Sequence, residues 1–445
     1  MSALKFTNPA HWEAIETHLN GQHGERFAFA HTRILATTAG EPVLEVIGVE
    51  LISDTDVETD GTGWYLAEEA LDRVHNAAAA GGHGLIEFHN HRIGPPRFSR
   101  TDEAGLMPMA TYVTDLLQGR PYGAGIYADG ALHVCWWTRN ADGLRRDTFR
   151  TVAVIGNQYR ILNARPVDDE RLTRQAALVG PAGQATIAAM RVAVVGAGGT
   201  GSHIALALVY LGFRDVLILD DDHVELSNLN RTVTAGLTDV RAPKNLVARR
   251  RMREVDPQIT VTPLPALTPD RPNPELNNVD LIVGCVDHDG PRDRLNQIAV
   301  DTATPYIDIA TGIDNDPTPA AVGGRAAFVV PGGPCLHCLG ELDPAEITRW
   351  AKKTDQQQLD QQHGYGTGLP NASVVHLNGL VVYAAATELV AWIAGTRPSA
   401  QYLDIDLSGH LAPTNSHPGT RIMPRQPIRA KPDCFACAHR RAAAV

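Results

Sequence analysis

His89 and His91 close an apolar run, Gly84 to Phe88, that reads as a strand, and Ser99 and Asp102 follow a short distance on. Side chains alternate across a strand, so two imidazoles two positions apart point to the same side. A carboxylate returned by the following segment completes a set of two nitrogens and one oxygen. Zinc accepts such donors, and three protein ligands leave a fourth position for water. That water is acidified towards neutrality and becomes a nucleophile for amide hydrolysis. A second chemistry lies in Gly196-Ala197-Gly198-Gly199-Thr200-Gly201, which follows the apolar run Arg191 to Val195 and opens a helical pattern. Glycines let the backbone turn tightly and approach phosphates, and the helix N-terminus supplies amides and a favourable dipole. Asp220 ends the next apolar run, where a carboxylate can hold ribose hydroxyls. Taken alone, this fingerprint points first to a nicotinamide-dependent dehydrogenase. The third cluster is Cys335-x-x-Cys338 with Cys434-x-x-Cys437. Two such pairs make a closed tetrahedral thiolate zinc site of structural type, with a redox pair as the rival.

These residues need elements to position them. Leu66 to Ala80 carries apolar residues at helical spacing and stops at Gly81-Gly82. Tyr122 to Trp137 reads as two strands joined at Ala128-Asp129-Gly130. From about Asp168 the pattern changes: a charged helical entry, Asp168 to Gln175, precedes strands at 191–195, 216–219 and 281–286 that alternate with helices. That alternation predicts an α/β, doubly wound, Rossmann-like domain with a parallel sheet. The boundary falls between roughly 155 and 168, giving domains at 1–160 and 161–445. The 445 residues allow two or three domains. Thirty-nine basic against 50 acidic residues give a net charge of −11, which argues against a nucleic-acid partner held by a general basic surface. No membrane span is expected, because Ser373 to Gly395 contains His376, Asn378 and Glu388 and reads as a buried helix. The N-terminus shows no secretory h-region, and the six cysteines suit a cytoplasmic protein with thiols or metal ligands.

The first half resembles the JAMM (JAB/MPN) metalloprotease family on its HxH, SxxD motif. The resemblance implies an α/β domain in which His89, His91 and Asp102 bind a catalytic zinc and Ser99 stabilises the oxyanion. It also implies an upstream glutamate as general acid/base. Glu25, in Gly24-Glu25-Arg26-Phe27-Ala28-Phe29, is the choice, with Glu45 and Glu50 as fallbacks. Asn90 and Arg92 depart from the family's Ser/Thr and Pro around the second histidine, a departure that bears on substrate choice and turnover.

The second half resembles the ThiF/MoeB/ubiquitin-activating superfamily through Asp220-Asp221-Asp222-His223-Val224-Glu225-Leu226-Ser227-Asn228-Leu229-Asn230-Arg231. The resemblance decides against the dehydrogenase. It implies adenylation, with ATP, of the C-terminal glycine of a ubiquitin-like protein. Gly196, Gly198, Gly199 and Gly201 would then cradle phosphates and Asp220 the ribose, while Asn228, Arg231 and Lys244 would contact the phosphates. Asp287 would bind Mg²⁺, and Arg174 would reach the ATP from the partner subunit of a homodimer. Asp222 is either a site residue or a loop acid facing solvent. Cys285 reads as an inert thiol inside an apolar strand. The cysteine quartet is also a family feature. No cysteine lies between Cys338 and Cys434, so adenylation is expected without covalent transfer in the loop Ala351 to Asn371. Both halves thus point to the tail of a ubiquitin-like protein, which one half trims or deconjugates and the other activates. The alternatives are a sulfur-carrier, peptide or tRNA pathway, and a binding scaffold whose first half is inactive.

Overall fold

A computed structural model describes residues 2–442 apart from 22–23, 39–40, 60–62, 93, 141–142, 315–320, 353–372, 399, 408–420 and 426–427. The loop Ala351 to Asn371 falls almost wholly outside the described residues. The chain divides into two compact units, Met1–Arg165 and Pro166–Val445.

The first unit is built on a nine-stranded mixed sheet. Its strands are β1 (Ala3–Phe6), β2 (Phe27–Thr38), β3 (Glu41–Leu51), β6 (Gly84–Asn90), β7 (Tyr122–Ala128), β8 (Ala131–Asn140), β9 (Gly143–Thr148), β10 (Thr151–Ile155) and β11 (Tyr159–Ile161). Their order is β11-β10-β1-β3-β2-β6-β7-β8-β9, while β4 (Val57–Thr59) and β5 (Trp64–Leu66) form a separate ribbon. The two sheet faces bury two cores. On one, Ile86, Phe88 and Trp136 pack with Trp12, Ile15 and Leu19 of α1 (Pro9–Leu19). On the other, Phe29, Leu85 and Trp137 pack with Val74 and Ala78 of α2 (Glu68–Gly81) and Leu106, Ala110 and Val113 of α3 (Arg100–Leu116). Strand alternation therefore sends Leu85 and His89 towards the α2/α3 face. Gly82, at φ +67°, ends α2 in the left-handed conformation that favours glycine.

The second unit carries an eight-stranded sheet. Its strands are β12 (Arg191–Val195), β13 (Asp215–Leu219), β14 (Thr260–Leu264), β15 (Leu281–Gly284), β16 (Tyr306–Asp314), β17 (Ala321–Val329), β18 (Tyr402–Asp406) and β19 (Arg421–Pro424). Order β14-β13-β12-β15-β16 is parallel, and β17, β18 and β19 extend it antiparallel. The chain winds away from β12 in both directions, which leaves a crevice at the carboxyl ends of β12 and β15. The helices that matter there are α4 (Ala176–Ala189), α5 (Gly199–Leu211), α6 (Lys244–Val255) and α7 (Asp289–Asp301).

The helix Val375–Ala394 is long and apolar enough to cross a membrane by length and composition, yet 67% of its apolar window is buried, against α4, α5, β16 and β17. Its one buried acid, Glu388, is held by Arg397 and by the Ala400 amide. Two local expectations need correction. The charged entry segment is a 3-10 turn, Glu170–Gln175, capped by Asp169; α4 follows, with a break at Gly180-Pro181. Strand β15 ends at Gly284, so Cys285 lies beyond the strand.

Candidate functional site

In the first unit, β2 runs antiparallel to β6 with Phe27 opposite His89. Continuing that register outward sets Glu25 opposite His91, which explains why a residue so far upstream reaches the histidines. From the other side, Asp102 is the third residue of α3 and closes a reciprocal cap with Ser99: the Ser99 amide donates to Asp102 Oδ2 (2.5 Å) and the Asp102 amide donates to Ser99 Oγ (3.1 Å). The cap thereby delivers the carboxylate. Asp102 Oδ1 lies 3.5 Å from His89 Nε2, and Oδ2 lies 3.3 Å from His91 Nε2. Metal bonds of about 2.0–2.1 Å in a tetrahedron give an edge of about 3.3 Å, so the three donors fit one zinc. His89 Nε2 is buried and has no hydrogen-bond partner, as a ligand atom awaiting a cation would be. Burial acts to raise the Asp102 pKa, but His89 and the Ser99 amide hold this carboxyl well below the usual carboxylate range. Burial raises the Glu25 pKa, against the opposing pull of His89 and His91. Ser99 is exposed, and its hydroxyl accepts from the Asp102 amide and also bonds the Asp102 carboxylate. The fallback glutamates are committed elsewhere: Glu45 to Arg33 and Thr7, Glu50 to Arg73.

In the second unit, a cleft of about 350 Å³ opens where the sheet reverses direction. Gly196, Gly198, Gly199, Asp220, Asp222, Asn228, Arg231, Lys244 and Asp287 all line it. Gly196 has φ +94°, and a Cβ on Gly201 would sit 1.9 Å from the Gly196 carbonyl oxygen. No side chain fits there, so Gly201 serves the turn from behind it. Gly198 precedes α5 at the cap position and offers no side chain, which leaves the first amides of the helix available to an anion. Asp220 is buried and accepts from the Ala197 amide (2.6 Å) and the Asp222 amide (2.9 Å). Its pKa is raised by burial, with the Ala197 amide and Lys244 opposing. Asn228 Oδ1 accepts from the Glu225 amide. Lys244 pairs with Asp222 at 2.9 Å, and Asp222 is otherwise exposed (74%). Arg231 donates to the Ser227 carbonyl and to Asn230 Oδ1, and no carboxylate pairs with it among the described residues. It is an unneutralised cation facing a cleft. Arg174 is exposed on the 3-10 turn and does not line this cleft.

The cleft also contains residues the sequence did not announce. Cys285 lines it, with its thiol pushed up to about 12 by burial. Arg292 lines it too, held by Asp289 (2.8 Å), the Val286 carbonyl (2.8 Å) and the fully buried Asp308 (3.3 Å). Asn378, a polar interruption of an apolar helix, accepts from Thr311 Oγ1 and donates to Ser373 Oγ on the cleft wall. An Asp–Arg pair at helical spacing was the one sequence signal for Arg292.

The four late cysteines converge. Their sulfurs are separated by 3.9 Å (Cys335–Cys338), 3.7 Å (Cys335–Cys434) and 3.6 Å (Cys338–Cys437). Zinc–sulfur bonds of about 2.3 Å give a tetrahedral edge of about 3.8 Å, so the quartet fits one zinc. All four are buried.

A glycine turn feeding an uncapped helix at the switch point of a doubly wound sheet defines a nucleotide-binding α/β protein. More narrowly, the chain belongs to the ThiF family, whose model matches residues 172–433. It is 34% identical over 163 residues to the SAMP-activating enzyme E1 of Haloferax volcanii, covering 36% of this chain and 57% of that protein. With the sulfur carrier protein ThiS adenylyltransferase of Bacillus subtilis it shares 34% over 172 residues, 37% of this chain and 48% of the other. With the adenylyltransferase and sulfurtransferase UBA4 of Yarrowia lipolytica it shares 34% over 167 residues, 37% and 40% respectively. The matched stretch thus spans about half the length of these relatives. A crystal structure of E. coli MccB with ATP aligns at a TM-score of 0.45 and 19% identity, covering 61% of this chain and 75% of that one.

Proposed function

We propose that the second unit uses ATP to adenylate the C-terminal glycine of a ubiquitin-like or sulfur-carrier protein. The reading rests on one observation above others: Arg231, Lys244 and the free amides of α5 converge on one cleft. The incoming carboxylate attacks the α-phosphorus, the bond to the bridging oxygen breaks, and pyrophosphate leaves. Negative charge grows on the phosphate oxygens, so fixed cations and amides accelerate this reaction more than a base would. Asp287, 74% exposed at the cleft mouth, would hold Mg²⁺, which neutralises the departing phosphates. Asp220 would orient the ribose. Cys285 lies at the cleft, but a thiol pushed up to about 12 is not a thiolate at neutral pH, which supports adenylation without thioester formation there. The exposed position of Arg174, away from its own cleft, suits delivery to the cleft of a second copy in a homodimer. The relatives' names include sulfur-carrier adenylyltransferases and a SAMP-activating enzyme, so this substrate class leads over peptide or tRNA acceptors.

For the first unit the proposal is a JAMM-type zinc peptidase acting on the same tail. Zinc held by His89, His91 and Asp102 would supply an acidified water. Glu25 would take that water's proton and pass it to the departing amine, while Ser99 Oγ would donate to the oxyanion. Two activities on one chain would keep the tail at high effective concentration. Zinc in the cysteine quartet would be structural.

Full chain, ATP, Mg²⁺ and a β-grasp protein ending in glycine should exchange labelled pyrophosphate into ATP. Absence of exchange with every such protein would sink the adenylation reading. The same protein carrying a peptide beyond its glycine should be trimmed, and loss of trimming in His89→Ala checks the first unit.

A further inference from the structure

Asn90 and Arg92, the two residues that depart from the metalloprotease motif, flank His91, and both reach the same short segment. Asn90 Oδ1 accepts from the Arg26 amide at 2.7 Å. Arg92 donates through Nε to the Gly24 carbonyl (3.3 Å) and through Nη2 to the Gly21 carbonyl (3.2 Å). The Gly24 carbonyl belongs to the peptide group before Glu25, and the Arg26 amide belongs to the peptide group after it. Both peptide groups around Glu25 are therefore gripped by the two side chains around His91. The backbone needs this. Strand β2 begins only at Phe27, so no ladder bond fixes Glu25 itself. His91 is secured independently, its amide donating to the Tyr127 carbonyl at 3.0 Å. Gly24 has φ +64°, and the Trp64 ring would lie 3.0 Å from a Cβ there, so a side chain at this position is disfavoured.

We infer that Asn90 and Arg92 are positioning residues that hold the Glu25 carboxylate at the water position of the His89–His91–Asp102 site. The inference rests on the metallopeptidase reading of the first unit and deepens it. The two motif departures thus each bond the backbone beside Glu25. A general base has to sit within hydrogen-bond reach of the proton it takes, and a displacement of about 1 Å costs on the order of a hundredfold in rate. Asn90 and Arg92 supply the restraint that the strand does not.

The test uses the full chain with zinc filling the cysteine quartet and Co²⁺ added as a spectroscopic probe of the three-ligand site. Visible absorption followed against pH reports ionisation of the water on cobalt. Glu25→Gln should move that midpoint by about one pH unit, a tenfold change in the ionisation constant. Asn90→Ala and Arg92→Ala should each move it in the same direction with one equivalent of cobalt still bound at unchanged affinity. In a Glu25→Gln background both should have no further effect, since partners acting through one group are not additive. Trimming of the extended β-grasp protein should fall in kcat with KM little changed. Midpoint shifts that persist in the Glu25→Gln background, or no shift in either single variant, would overturn the positioning role and leave the metal site standing. Failure of the wild-type protein to bind cobalt beyond the cysteine quartet would overturn both the role and the reading beneath it.

Discussion

Arg231 and Lys244 occupy the same cleft in different electrostatic states. Lys244 is paired with Asp222, whereas Arg231 rests on two neutral oxygens. A cation held without a counter-charge is pre-set for an anion and makes little contribution to the fold in its absence. Arg231→Ala is therefore expected to lower pyrophosphate exchange on the order of a hundredfold or more, while urea denaturation shifts by less than about 0.5 kcal/mol. Asp222→Ala should act differently, freeing Lys244 and changing the apparent ATP affinity far less than Arg231→Ala does; isothermal titration with ATP separates the two. Glycines differ as sharply. Gly201→Ala places a methyl against the Gly196 carbonyl, so the turn must open, and ATP binding should be lost in the same titration. Glu25 carries its own pH signature. Burial raises its pKa, and the base must be ionised to work, so trimming should decline as pH falls through that raised value and lose this acid limb in Glu25→Gln.

Elements place these residues, and some of that placement was readable in advance. The glycine turn, the Asp220 strand end and the HxH strand end are local: each needs only one strand and the turn that leaves it. Arg292, Asn378 and Thr311 meet the cleft from α7, the helix Val375–Ala394 and β16, so their convergence depends on tertiary packing that no short spacing records. The role of Asn90 was hidden for the same reason, because Arg26 reaches it from just before β2, which pairs with β6. Cys285 fell outside its expected strand since β15 stops two residues early, at Gly284. One element invites a direct measurement. Helix α6, which starts at Lys244, is tied by Arg250 to Asp239, whose other contact is the Gly236 amide. Hydrogen bonds from Arg250 lower the Asp239 pKa below its unfolded value. A depressed carboxyl stabilises the fold above its unfolded pKa and loses that contribution as pH falls through the folded one. Arg250 is half exposed, so the effect is modest. Asp239→Asn should cost about 1 kcal/mol at pH 7 and progressively less as the pH falls through the lowered Asp239 value, read as urea midpoints across the acid range.

At the scale of the molecule, the chain carries two kinds of candidate zinc site built for different exchange. The His89–His91–Asp102 set offers three ligands at a partly open position, while the cysteine quartet is buried on every ligand and closes its own coordination. The quartet also anchors the far end of the chain, since Cys434 and Cys437 pack in the same core as Leu336, Leu339 and Tyr402. Each unit encloses hydrophobic clusters of its own. A three-ligand site with room for water admits a chelator; a four-thiolate site inside a core does so only when the core opens. Brief treatment with 1,10-phenanthroline, which spares Mg²⁺, should thus take the zinc content from two equivalents per chain to one. Trimming should vanish with the first equivalent and pyrophosphate exchange should stay intact, because the first unit's metal makes no part of the nucleotide cleft. Cys434→Ser should show the opposite pattern, with the quartet's zinc lost, a fall in thermal midpoint and exchange failing with it. Metal analysis by mass spectrometry alongside both assays checks this, and an exchange activity that fell in step with the first equivalent would show that the two sites do not work independently.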